Sequence, residues 1–297
     1  TLLDTTSAYF DLIFKAQNEK FNLSNVTLFE RQLESDNARL QKGEITLTDL
    51  AQSESSLAGA NANLIKAKTE LLSSITNFER IIGEKVPSFE NLNQKVLIDL
   101  PSTLNSSLEQ ASLKNLALLI SKLDYEISAK ELNIERARLS PKASIQVSKS
   151  ENKDFSSTID EKDDETVKAT ITWPIIKGGE NISAIKKSSL EKQRIQLLLK
   201  DTKNKVLSDT SNSWSNYQSS KSVLEATKAQ LKAAEIANEG ITLEYDSGNT
   251  RTTLEVIQSR SLLLEARIAY SKAQRDFVVS QFELAKQIGT LSQKSII

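Results

Sequence analysis

Two short stretches concentrate the polar chemistry of this chain: "KGEITLTDL" (42–50) and "YDSGNTRTTLEVIQ" (245–258). Each sets a glycine and hydroxyl residues ahead of an acid and a helical run. Thr48 and Asp49 stand where a returning helix opens, and a threonine or aspartate there caps free N–H groups and complements the helix dipole. Gly43 and Gly248 are the turn residues expected at φ > 0. No catalytic arrangement accompanies them. The chain has no Cys and no His. Thiolate or imidazole zinc sites and Ser-His-Asp or Cys-His nucleophile systems are therefore excluded. The carboxylates are spread along helical faces as solvated charges are. No enzyme activity, cofactor or metal is expected.

The elements that position these stretches are read from periodicity. Of 297 residues, 26% are charged and the net charge is −1, with only 8 Gly and 4 Pro. Long uninterrupted helices follow from the few breakers, and no clustered basic excess points to nucleic acid. No apolar run is long enough for a transmembrane helix. Leu50, Leu57, Leu64, Leu71 and Phe78 repeat at seven-residue spacing, each followed three residues on by Ser53, Ala60, Ala67, Ser74 and Ile81. The pattern recurs as Val256, Leu263, Tyr270, Phe277 and Leu284 with Ser259, Ala266, Ala273, Ser280 and Gln287. Large residues in one heptad column and small ones in the other predict a left-handed coiled-coil seam with close backbone approach. Both helices stop at a glycine, in "IIGE" (81–84) and "QIGT" (287–290). Upstream, "LLDTTSAY" (2–9) matches "LSDTSNSW" (207–214). The chain thus reads as two duplicated helical hairpins, 1–42 with 48–83 and 181–246 with 253–289. The two polar stretches are their tips.

Between the hairpins the texture changes. Residues 108–140 read as a helix closed by Pro141. "ASIQVSKS" (143–150) and "TVKATITWP" (166–174) then alternate apolar and polar residues, the mark of two-faced strands. The acidic connector 151–165 reads as a solvated loop. The strand pair is either a small hairpin with its apolar face packed on the helices, or part of a membrane barrel with Trp173 at the interface. Two strands cannot close a barrel, so the second reading demands further strands and an oligomer. The second hairpin is preceded by a helix, two strands and another helix, whereas the first has no such block before it. An equivalent block, about a hundred residues long, is expected upstream of Thr1 in the complete protein.

Taken in order, "DTTSAYFDLI" (4–13), "RLQKGEITLTDL" (39–50), "ARLSPKASIQVS" (137–148), "TWPIIKGGENISAI" (172–185) and "YDSGNTRTTLEVIQ" (245–258) resemble the TolC-type outer-membrane efflux proteins. The resemblance covers nearly the whole chain. It implies a mainly α fold of long antiparallel coiled-coil hairpins, with a β-hairpin that contributes to an oligomeric transmembrane β-barrel. The divisions expected are a first hairpin (1–90), an equatorial connector and helix (91–142), a strand pair with an external loop (143–176) and a second hairpin (177–297). The helix over 181–246 would be about 100 Å long at 1.5 Å per residue, a length suited to spanning the periplasm. The family also implies a homotrimer, contact with outer-membrane lipid, a periplasmic adaptor and an inner-membrane transporter as partners, and export of drugs or secreted proteins. By motif, the periplasmic gate falls on Thr48, Asp49, Tyr245, Arg251, Glu255 and Gln258. Asp49 on one tip would link to Tyr245 or Arg251 on another, and Glu255 would form an acidic ring. Adaptor docking falls on the turns, at Lys42, Gly43, Ser247, Gly248 and Asn249. The second turn is one residue longer than the family form, and Gln258 stands where a second acid is often found. That departure argues against a two-acid cation-binding mouth. The alternatives are a structural coiled-coil protein or a periplasmic adaptor hairpin, neither a channel; the alternating strands count against the first and the duplication against the second.

Overall fold

The computed structural model describes residues 2–86, 98–156, 158–247 and 251–292. Among the described residues the elements follow in the order α1 (Leu2–Gln41), α2 (Leu47–Ile82), α3 (Leu104–Lys114), α4 (Leu116–Ala137), β1 (Lys142–Ser156), β2 (Ile159–Thr172), α5 (Glu180–Asp246) and α6 (Thr253–Gln287). They form two compact units. The first holds residues 1–115 and 207–297, and the second holds residues 116–206.

In the first unit, α1 packs antiparallel to α2 and to α6. Seven of the ten predicted heptad positions on each helix are buried, Leu50, Ser53, Ala60, Leu64, Ala67, Ser74 and Phe78 on α2 and Val256, Ser259, Leu263, Ala266, Ala273, Ser280 and Leu284 on α6; Leu57, Leu71, Ile81, Tyr270, Phe277 and Gln287 are half-buried. Short residues at alternate seam positions let two helix backbones come within coiled-coil distance. Val26 and Phe29 of α1 meet Ala60 and Leu64 of α2 and Ile257 of α6 in one apolar cluster. Phe10 and Ile13 meet Phe282 in another. Each such side chain removed from water contributes about 1.5–3 kcal/mol before entropy is counted. The close backbone partner of the α6 seam is α1 rather than α5. The later half of α5 reaches α6 through longer side chains, with Tyr217 stacked on Phe277 at 5.8 Å and Asn238 accepting from Ser259 at 2.9 Å.

The helix predicted over 108–140 is two helices. Asn115 breaks it, with extended backbone at φ −61°, ψ 124°. Asparagine competes with helical hydrogen bonding through its own side chain, and here its amide donates to the Gln287 carbonyl at 2.8 Å. The break therefore grips the end of α6. Gly289, just past that end, has φ +74° and lies so close that a Cβ would sit 2.1 Å from the Lys114 carbonyl oxygen.

In the second unit, β1 and β2 form an antiparallel two-stranded sheet, with Val147 opposite Val167 and Ile145 opposite Ala169. The acidic segment 151–165 is not the solvated loop expected from its composition. The strands run through nearly all of it. Two opposite-charge pairs, Lys149 against Glu165 and Lys153 against Glu161, flank one like pair, Glu151 against Asp163, and the opposite-charge pairs favour a ladder that composition alone would assign to loop. The apolar face does not pack on helices. Ile145 and Ile171 are 77% exposed and Val147 and Val167 73% exposed. Trp173 is also exposed, and its indole N–H donates to the Leu139 carbonyl at 3.1 Å.

Gly289→Ala should lower stability by about 2–4 kcal/mol, combining backbone strain with overpacking. Gly43→Ala carries the same φ of +74° but meets nothing within 4 Å, so it should cost only about 1 kcal/mol. Thermal unfolding of the two variants side by side checks the difference.

Candidate functional site: the hairpin tips

The first tip is closed by backbone bonds from Gly43 N–H to the Leu40 carbonyl and from Glu44 N–H to the Arg39 carbonyl, both 2.9 Å. Gly43 is in the left-handed region as predicted, and both it and Lys42 are exposed. The cap of α2 is Thr46 rather than Thr48, because the helix starts at Leu47. Thr48 is an exposed residue of the first turn. Asp49 completes a capping box: it accepts from the Thr46 N–H at 2.9 Å while its own N–H donates to Thr46 Oγ1 at 3.3 Å. Two otherwise free donors are satisfied reciprocally.

The second tip uses the same device. Thr252 caps α6, Glu255 accepts from the Thr252 N–H at 2.8 Å, and the Glu255 N–H donates to Thr252 Oγ1 at 3.3 Å. Arg251 is held within its own tip, by Glu244 at 2.6 Å and Glu255 at 2.9 Å. Ser247 is exposed and donates to the Glu244 carbonyl, and Gln258 is exposed on α6. Gly248 and Asn249 lie outside the described residues.

Tyr245 faces inward instead. It is 4% exposed, and its hydroxyl donates to Asp36 Oδ1 at 2.7 Å and lies 3.1 Å from Thr253 Oγ1. Asp36 is fully buried and also accepts from Gln32 at 2.9 Å and Ser53 at 2.5 Å. The Arg39 guanidinium lies 4.4 Å from the centre of the Tyr245 ring. Within one protomer, then, Asp49 does not meet Tyr245 or Arg251, and the acid that holds Tyr245 is Asp36. Sequence reasoning missed Asp36, Gln32 and Ser53 as a group. The available signal was a charged residue on the side of α1 that carries Val26 and Phe29.

The electrostatics follow from these contacts. The Thr46 backbone N–H, then its hydroxyl, holds the Asp49 carboxyl below its ordinary value. The Thr252 backbone N–H and then Arg251 do the same for Glu255. Glu244 and Glu255 push Arg251 up. Burial pushes the Tyr245 phenol up. Among the described residues no group of three acids is placed to hold a metal.

Residues 107–290, more than half of the chain, match the sequence profile of the outer membrane efflux protein family. The chain belongs to that family. Over 98% of its length this efflux-family chain is 23% identical to the outer membrane efflux protein BepC of Brucella suis, and covers 64% of it. Over its whole length it is 21% identical to the outer membrane protein TolC of Escherichia coli, and covers 62% of that protein. It therefore spans a little under two thirds of these curated relatives. Among solved structures, the open-state MtrE outer membrane channel of Neisseria gonorrhoeae superposes with a TM-score of 0.79 at 15% identity, over 98% of this chain and 67% of that one. The CmeC outer membrane channel of Campylobacter jejuni superposes with a TM-score of 0.78 at 14% identity, over 97% and 62%. The shared architecture is that of helical-hairpin channel proteins; the family consists of efflux ducts, not enzymes.

Both capping acids are more acidic in the folded chain than in the unfolded one. Their contribution is complete above the unfolded values and is lost as pH falls through the folded ones. The first turns of α2 and α6 should therefore loosen together as pH drops below about 4. Amide hydrogen exchange, corrected for intrinsic rates, should show loss of protection at 46–50 and 252–256 before the middles of the helices.

Proposed function

We propose that this chain is a protomer of an outer-membrane exit duct, which carries drugs or secreted proteins outward from an inner-membrane transporter through a periplasmic adaptor. The observation that carries this reading is the β-hairpin. One face is apolar from Ala143 to Val147 and from Val167 to Ile171, it is open, and among the described residues neither strand pairs with a further strand. A two-stranded sheet with a bare apolar face is not stable alone in water. In lipid, backbone edges must close on other strands. Both needs are met in a homotrimer whose barrel is closed by further strands together with these, its apolar face against outer-membrane lipid. The strands hold 15 and 14 residues, beyond the roughly 9–11 that cross a bilayer. Their charged halves would extend past the membrane. Among the described residues no helix is long and apolar enough to cross a membrane, so the strands would be the spanning elements.

On this reading the tips form the periplasmic mouth. Six tips of two alternating kinds would meet in a trimer, where Asp49 of one would pair with Arg251 of its neighbour after leaving its present partner. Glu255 would supply an acidic ring, and the turns at Lys42, Gly43 and Ser247 to Asn249 would dock the adaptor. A structural coiled coil without a channel would have no use for the bare β face.

Two measurements on the full-length protein test this. Ile171→Arg should impair membrane insertion by about 2–4 kcal/mol at mid-bilayer, whereas Thr170→Arg on the polar face should be tolerated; equal tolerance speaks for a water-exposed hairpin. In planar bilayers, Asp49→Ala combined with Arg251→Ser should raise single-channel conductance, and Glu255→Ala should weaken cation selectivity. A double variant that conducts no better than the parent removes these residues from the gate.

A further inference from the structure

We propose that the end of the β-hairpin nearer the helices carries a binding site for anionic phospholipid headgroups, made by Arg136, Lys177, Lys186 and Lys187 beside the exposed Trp173. The inference rests on the reading of the hairpin as part of a lipid-facing barrel and adds to it the kind of lipid that the barrel prefers.

The two ends of the hairpin carry opposite charge. The segment at its turn, 151–165, holds seven acids and two lysines. The segments that join it to the helices, 136–142 and 173–187, hold six cations and one acid. The whole chain has a net charge of −1, so the separation is local. From Val167 to Trp173 the apolar face covers about 20 Å at 3.4 Å per residue. The apolar band of an outer-membrane barrel is about 25 Å tall. The cations therefore fall at one face of the bilayer and the acids at the other.

The two joining segments lie side by side, tied by the Trp173 indole N–H on the Leu139 carbonyl at 3.1 Å. Two of the six cations are otherwise engaged. Lys142 belongs to the polar face of β1, opposite Thr172, and Arg138 pairs with Glu135 at 3.2 Å. Arg136, Lys177, Lys186 and Lys187 are exposed and form no ion pair among the described residues. Ser183, Lys186, Lys187 and Leu190 line an open pocket of about 480 Å³ on α5. Glu191, which also lines it, is neutralised by Arg194 at 2.5 Å. Around these charges the chain is apolar and bare: Trp173, Ile175, Ile176 and Ile182 are 62–89% exposed. Ile182 and Lys186 are neighbours on one helix face, four residues apart.

Cations set among bare apolar side chains select their ligand. Long basic side chains lay their stems on hydrocarbon and hold the charge at the headgroup level, and a tryptophan ring prefers that same level. A soluble acidic protein would satisfy the charges and leave the apolar groups in water. A zwitterionic lipid would cover the apolar groups and bring its own cation to the lysines. An anionic phospholipid answers both, with acyl chains against Trp173 and the isoleucines and its phosphodiester on the ammonium and guanidinium groups.

The test uses the full-length protein in mild detergent, with trimer formation followed on native gels. Bound lipid is counted by native mass spectrometry during titration with phosphatidylglycerol or with phosphatidylcholine of the same acyl chains. Phosphatidylglycerol should bind at least about ten-fold more tightly than phosphatidylcholine. Lys186→Gln with Lys187→Gln should remove most of that preference, at roughly five-fold per charge, and leave phosphatidylcholine binding unchanged. Lys149→Gln with Lys162→Gln, toward the turn of the hairpin, should leave the preference intact. Equal binding of the two lipids by the parent, or a preference that survives the first double variant, overturns the proposal. Should that variant fail to form a trimer, Arg136→Gln with Lys177→Gln takes its place, and an undiminished preference there overturns it too. Loss of the trimer in both means that the cations meet a neighbouring copy instead of lipid. If Ile171→Arg and Thr170→Arg are equally tolerated, the barrel reading fails and the proposal with it. If they differ while the two lipids bind alike, the barrel stands and only the lipid preference is lost.

Discussion

Helices approach one another at coiled-coil distance only where the facing side chains are short, and α1 does this on two sides at once. Ser53, Ala60, Ala67 and Ser74 bring α2 against it, and Ala266, Ala273 and Ser280 line the buried face of α6. With both flanks occupied, α1 has polar groups in its buried set: Thr6, Asn22, Asn25, Gln32 and Asp36. Each must find a partner or be left unsatisfied at a cost of about 1–3 kcal/mol. Thr6 and Asn22 find theirs within α1, on the Leu2 and Asn18 carbonyls, while Asp36 and several less buried residues of α1 link to other helices along its length. Arg275 pairs with Asp11, Lys15 with Glu70, Ser271 with Gln17, and Tyr245 with Asp36. A seam of this composition gains less from apolar burial than a leucine seam would. It gains register, because sliding α1 by one turn breaks several of these links together.

The hairpins were legible in the sequence because their causes are local. Heptad spacing, helix-stopping glycines and hydroxyl-rich turns ahead of an acid act within a few residues of chain, and the boundaries of α1, α2, α5 and α6 fall within two residues of those expected. Helix capping was placed two residues late, at Thr48 instead of Thr46, since several hydroxyls in "ITLTD" compete for that role. What was not legible depended on residues far apart in the chain. Asn115 is unremarkable until Gln287 lies beside it. The acidic ribbon beyond Val147 looks like loop until Lys149 and Lys153 are seen to face Glu165 and Glu161. Asp36 reads as one more helical acid, and only the return of α5 more than two hundred residues later gives it Tyr245.

The two tips keep one local fold in unlike surroundings. Thr46 with Asp49 and Thr252 with Glu255 make the same reciprocal cap, so each returning helix starts in the same way. Their surroundings differ. The first turn is braced by Arg39 and Glu44 across its own mouth, and the second by Arg251 between two glutamates. The buried links also run one way, from the second hairpin to α1. Identical caps with unlike flanks give a ring of such tips two kinds of neighbour, so contact between copies need not be made between like surfaces.

The joint between Asn115 and Gly289 bears on how such a chain can change over generations. It is made almost wholly of backbone: a carbonyl at Lys114, a carbonyl at Gln287, one amide side chain and the space left by a missing Cβ. Substitutions elsewhere along α3 and the end of α6 leave those groups untouched, so sequence drift there is unconstrained by the joint. Drift at either of the two positions is blocked, and a lengthening of α6 by a single residue would rotate Gly289 out of its slot. Variation in helix length is therefore channelled toward the opposite end of α6, where the turn before Thr252 is already longer than its counterpart.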